Sequence, residues 1–333
     1  MPSNAKDFRV LLTKSTGLSD SAISAAWPEW WSDAADASPS AQAELRFSLA
    51  RKLGLDPTSL FDDGAPRFVW DDTAKYKNFT GDVARERPAI TSFGISLGRI
   101  LAATVPESRS LFGMQATDIR RSILASQPFI RLQDLLALLW GLGVPAIHLR
   151  VYPLNAKRMC AMAVMVRGRA SILLAKDAQY PAPTIFHLAH EIGHIALGHI
   201  GDNQGIVDME DTVENVDRKD AEEIEADRYA LELLTGDPEF KVSKHGAGHS
   251  SRQLAEEVMK QGPYNGIEPG TLALCYGHVT REWATVQAAL PRIYMQPIPV
   301  WRVVNQVGDQ QIQWGSLSDE NSSFLRAVMG GVS

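Results

Sequence analysis

The run His190-Glu191-Ile192-Gly193-His194, inside the apolar stretch from Pro183 to His199, constrains this chain more than any other feature. Residues four apart share one face of a helix, so His190 and His194 present two imidazole nitrogens to a single point. Two such nitrogens are half of a tetrahedral zinc site. Glu191 projects beside that point, where a carboxylate can serve as general base toward water polarised by the ion.

The segment from Asp217 to Leu234 offers the rest of the site. Ile224, Ala226, Ala230, Leu231 and Leu234 fall at helical spacing and predict an apolar stripe against the core. Glu223 and Asp227 lie four apart on one face. A catalytic zinc takes three protein ligands, His-His-Glu being one standard set, and a carboxylate to orient a ligating His. Glu223 therefore reads as the third ligand and Asp227 as the orienting partner. Glu225 is the competing ligand, ranked second because only Glu223 pairs with Asp227 at the i, i+4 offset.

The chain from about 122 to 234, through Leu135–Pro145, Phe186–His194 and Glu223–Ala230, resembles the ImmA/IrrE family of zinc-dependent metallopeptidases. The resemblance implies a compact α+β zincin-like core, with His190, His194 and Glu223 as ligands and Glu191 as base. Asp227 stands where the family often has Asn. The resemblance also implies a specific protein substrate, a bacterial repressor or antitoxin-like regulator, cut at a peptide bond. Zn2+ is the expected ion, with Mn2+ as the alternative. A rival expectation is a non-catalytic or latent regulatory binding protein that keeps the zincin fold in a toxin-antitoxin or stress-response system. The retained Glu191 counts against it, since a scaffold has no use for the base.

With 333 residues, 45% of them hydrophobic, the chain can bury a sizeable core without staples. Cys160 and Cys275 are its only cysteines, which argues against a disulfide framework and suits a reducing cytoplasm. The opening residues lack a basic stretch followed by an apolar one, and no window reaches the ~18 continuous apolar residues of a membrane span. These features predict a soluble cytoplasmic protein with no membrane partner. A net charge of -6 disfavours nonspecific nucleic-acid binding.

The expected class is α+β: a mostly helical chain with a small zincin-like core, a short mixed sheet plus the His-Glu-x-x-His helix, flanked by helical regions. Residues 1–62 read as helical and weakly helix-turn-helix-like. Arg46, Arg51 and Lys52 are offset there by Asp33, Asp36, Glu44, Asp56, Asp62 and Asp63, which disfavours direct DNA binding. Residues 63–115 read as a linker and helical connector, 116–236 as the metallopeptidase core, and 237–333 as a helical region. The last ends in a hairpin pairing Trp301–Val307 with Gln310–Trp314 across Gly308-Asp309.

Within the core, Ala116–Leu124 and Leu132–Trp140 read as helices, Ala146–Tyr152 as a strand, and Met159–Val166 with Ala170–Ala175 as a hairpin. In zincin-like enzymes the strand before the active helix is often a sheet edge onto which an extended peptide adds. Ser171, Ile172, Leu173 and Leu174 are the candidate substrate edge. Cys160 is a candidate inhibitory thiol over the metal, set against the ordinary reading of a small buried residue. His148, His187 and His199 rank behind Glu223 as ligands. His245 and His249 are four apart, but two intervening glycines argue against a helical second site. The acidic stretch from Ile200 to Val216 reads as a solvated loop.

Overall fold

A computed structural model describes residues 4–62, 64–70, 73–77, 86–106, 110–155, 159–209, 221–241 and 250–331. Helix α1 (Ala5–Thr16) starts at Asn4, whose side chain accepts from the Asp7 amide, and stops at Gly17 in the left-handed region. Ser19 caps α2 (Asp20–Ala26), and Ser38 followed by Pro39 starts α3 (Pro39–Leu53), which ends on left-handed Gly54. Strand β1 (Ala74–Lys77) precedes α4 (Arg87–Ala102), α5 (Ala116–Leu124), α6 (Leu132–Gly141) and β2 (Ala146–His148). Strands β3 (Met159–Val166) and β4 (Arg169–Leu174) form the expected hairpin, turning on Arg167 and Gly168, both at positive φ.

After the hairpin come α7 (Pro181–Ala196), β5 (Gln204–Met209) and α8 (Ala221–Thr235). The chain closes with α9 (Ser251–Tyr264), α10 (Pro269–Thr280), α11 (Trp283–Tyr294), α12 (Val300–Gln311) and α13 (Asp319–Met329). The class is α+β, mostly helical around a small mixed sheet, as the sequence predicts. The sheet runs in the order β1-β5-β3-β4-β2, antiparallel at β5–β3 and β3–β4 and parallel at both outer pairs.

Alternation along β3 divides the interior. Met162, Val164 and Val166 pack with α4, the N-terminal helices and α13, while Ala161 and Ala163 pack with α5 to α8 and α12. Helix α4 lies flat on the sheet because it is bare where it touches: a Cβ at Gly98 would stand 2.7 Å from Val164. Helices α9 to α11 bury a third, smaller cluster. Phe8, Leu12, Leu49 and Leu60 share one cluster with the sheet and with Phe324 and Val328, so no core boundary falls at residue 62.

Several expectations are corrected. Strand β4, holding Ser171, Ile172, Leu173 and Leu174, is not a sheet edge: β3 flanks it on one side and β2 pairs with Ile172–Leu174 on the other. The terminal hairpin is instead helix α12, whose buried Val300, Val304 and Gly308 recur every four residues. Part of the acidic loop is strand β5, with Ile206 and Val207 fully buried between β1 and β3; residues 210–216 lie outside the described residues. Among the described residues no helix is long and apolar enough to cross a membrane.

Candidate metal centre

Helix α7 enters the core behind Pro181 and buries Leu188, Ala189, His190, Glu191, Ile192, Gly193, His194 and Ile195 in succession. Helix α8 packs along it, and Gly193 sets how closely: a Cβ there would lie 3.1 Å from the Ala226 carbonyl oxygen. This close approach brings Glu223, in the first turn of α8, onto the two histidines.

The three expected ligands converge. His190 Nε2 and His194 Nε2 are 3.0 Å apart, and the Glu223 carboxylate straddles them, Oε1 at 3.2 Å from His194 Nε2 and Oε2 at 3.6 Å from His190 Nε2. Among the described residues this is the one group of three or more His, Cys, Asp or Glu side chains close enough to share an ion. The donor set suits a metal. A tetrahedron with bonds of about 2.0–2.1 Å separates its corners by about 3.3 Å, and the observed spacings bracket that value. Two imidazole nitrogens and a carboxylate are also the ordinary donors for zinc.

The supporting residues are specific. Asp227 Oδ1 lies 3.0 Å from His190 Nδ1, as its place on α8 suggests, leaving Nε2 toward the centre. His194 Nδ1 faces His199 Nδ1 at 2.9 Å, and His199 Nε2 faces Glu225 Oε2 at 3.1 Å. Glu225 is thus a partner of His199, with its carboxylate away from the ligand cluster, and the sequence missed this pair. The available signal was Gly198, whose positive φ of 75° turns the chain at the end of α7 and folds His199 back. On the other side, Asp208 of β5 stands 3.7 Å from His187 Nδ1.

Burial and charge divide the acids. Glu191 is completely buried, and neither carboxylate oxygen makes a hydrogen bond of ordinary geometry. Burial, reinforced by the charges of Asp208 and Glu223, pushes its pKa well up against the opposing pull of His190 and the Ala163 backbone. Burial also opposes ionisation of Glu223, but hydrogen bonds and charge from His190 and His194 hold its carboxyl far below the usual range. His190 loses to burial and gains more from Asp227 and Glu223, ending well above an ordinary imidazole. Burial pushes His194 down.

Cys160 is buried in β3 and does not belong to the ligand cluster, so the inhibitory-thiol expectation has no geometric support. Along α8, Ala226, Ala230 and Leu234 are buried as expected, but Ile224 is half-exposed and Tyr229 and Leu233 complete the stripe. The ring nitrogens of His148 face the Leu149 and Lys176 carbonyls at 3.0 and 3.1 Å, and His148 takes no part in the centre. His245 and His249 lie outside the described residues. No family model, curated protein or solved structure matches the chain.

Proposed function

We propose that the protein is a zinc-dependent endopeptidase with a zincin-like core, acting on a peptide bond of a specific protein substrate. One observation carries the reading: a complete His190-His194-Glu223 donor set beside a fully buried carboxylate, Glu191, whose oxygens have no ordinary hydrogen-bond partner. A structural metal site gains nothing from such a carboxylate, and leaving it unpaired is costly. When bound, the ion supplies Lewis acidity toward the scissile carbonyl and an attacking water.

The chain's own residues do the remainder. His190 and His194 offer Nε2 and Glu223 its carboxylate, while Asp227 fixes the ring of His190. Glu191 accepts the proton of the attacking water on a carboxylate oxygen and delivers it to the leaving amine nitrogen. Apolar packing around α7 excludes bulk water from that transfer. A bacterial repressor or antitoxin-like regulator in the cytoplasm is the proposed substrate, on the strength of the ImmA/IrrE resemblance. A second reading, a latent regulatory binding protein, draws on the burial of the whole centre: His190, Glu191 and His194 are 4%, 0% and 0% exposed, so a peptide reaches them only after the surface opens.

The test is to incubate a cell lysate with zinc-loaded wild type and with zinc-loaded Glu191→Gln, then enrich and sequence new protein N-termini. A few new termini made by the wild type alone support a selective endopeptidase with Glu191 as base. Identical termini in both samples refute turnover and favour the binding protein.

A further inference from the structure

The ring of His194 is oriented by an imidazole, and the identity of that partner fixes where every proton in the chain of contacts must sit. For Nε2 of His194 to offer its lone pair to an ion shared with Glu223 and His190, the ring proton must be on Nδ1. That nitrogen faces His199 Nδ1 at 2.9 Å, which must then be the acceptor. With Nδ1 accepting, the ring proton of His199 is on Nε2, which faces Glu225 Oε2 at 3.1 Å, a carboxylate oxygen able to accept it. One arrangement of two protons satisfies both contacts of the pair.

We infer that His199 and Glu225 are a positioning pair that locks His194 in its metal-binding tautomer, the counterpart on the second histidine of what Asp227 does for the first. The inference rests on the metal-site reading above. The architecture around the pair supports it. His199 follows Gly198, which ends α7, and its amide donates to the His194 carbonyl at 3.0 Å, so the two rings belong to one folded turn. Glu225 comes from α8, two residues past Glu223 and so on another side of that helix. Lys75 of β1 donates to the His199 carbonyl at 3.0 Å and to Glu222 at 2.6 Å, clamping the turn to α8 where the pair bridges them. His199 is nearly buried while Glu225 is largely exposed, with side chains 7% and 60% accessible. The pair therefore links a buried ligand to a carboxylate at the surface.

His199 is a positioning residue, so its test reads metal binding and tautomer. Zinc dissociation constants are measured on the full chain by chelator competition for wild type, His199→Phe, His199→Gln, Glu225→Leu and Glu225→Gln, with Glu223→Ala as the ligand control. Nitrogen-15 shifts of the His194 ring in labelled zinc-free protein report its tautomer. Removing the acceptor in His199→Phe weakens zinc by about 10–100-fold and mixes the tautomers. Glu225→Leu weakens it less, in the same direction, while the Gln variants, which retain an acceptor oxygen, stay close to wild type. A wild type that binds zinc, lost in Glu223→Ala but unchanged in both His199→Phe and Glu225→Leu with the tautomer intact, overturns the pair and leaves the metal site standing. A wild type that binds no zinc overturns the metal reading and the pair with it. Should His199→Phe fail to fold, the exposed Glu225→Leu decides the question.

Discussion

Glu191 and Glu223 are the same side chain placed on two packed helices, and their surroundings drive them to opposite states. Glu223 meets two imidazoles and is held ionised, whereas burial and the like charges of Asp208 and Glu223 raise the proton affinity of Glu191 in the zinc-free protein. In the proposed function that division separates a ligand from a base. It also sets a pH dependence. His190 and Glu191 both have raised proton affinity when folded, so their protonated forms stabilise the zinc-free protein below their unfolded values of 6.5 and 4.5. That contribution is lost as pH rises. Glu223, depressed, acts oppositely and loses its contribution only as pH falls below 4.5. Zinc must displace the extra proton that His190 holds. The rise in Tm on adding zinc should therefore grow from about pH 5.5 to about pH 8, as melting curves with and without zinc would read. A rise that shrinks with pH would contradict the assigned proton affinities.

At the scale of elements, the centre depends on how closely α7 and α8 approach, and Gly193 is the residue that permits it. A valine there would press on the Ala226 backbone and Tyr229 Cβ, 3.1 to 3.2 Å from the first added carbon. Gly193→Val should cost about 2 kcal/mol in stability and displace Glu223 from the histidines. Zinc affinity should fall at least tenfold, read by the same chelator competition; unchanged affinity would mean the helices hold the site without this contact.

The same pair of helices shows what was legible beforehand. The pairs His190/His194 and Glu223/Asp227 follow from i, i+4 offsets and Glu191 from its place beside the first histidine, because helical spacing is local and these residues sit on two regular helices. The His199–Glu225 pair was not legible, since it needs the left-handed turn at Gly198 and a contact between elements 26 residues apart in sequence. Strand β4 was misplaced at an edge because its partner β2 arrives from 26 residues upstream, at Ala146↔Ile172, and alternation within a strand says nothing about its neighbours. Strand β5 was missed because its short apolar core sits in an acidic stretch. Helix α12 was misread because Gly308-Asp309 imitates a turn while Val300 and Val304 carry the helical period.

Across the whole molecule, buried polar groups tie the layers together. Asn305 of α12 accepts from the His148 amide at 2.7 Å and donates to the His148 and Met329 carbonyls, each at 2.8 Å, closing the outer edge of β2, where no further strand pairs among the described residues. Arg120 of α5 donates to the Leu233 and Leu234 carbonyls at the end of α8 and to Asn265 and Gly266 beyond α9, joining the helices on the α7 face of the sheet to the C-terminal helices. Arg120→Met keeps the bulk and strands four carbonyls, so unfolding by urea should show a loss of about 3 kcal/mol; a change near zero would mean solvent satisfies them equally well. An ion held by His190, His194 and Glu223 would add one more tie, between α7 and α8, with Glu191 beside it and outside its ligand set. Calorimetric titration of zinc into the metal-free wild type, Glu223→Ala and Glu191→Gln tests that claim most directly. One equivalent bound alike by wild type and Glu191→Gln, with affinity in Glu223→Ala weakened by about a hundredfold or more, is the predicted result. Loss of zinc in Glu191→Gln, or its retention in Glu223→Ala, would contradict it.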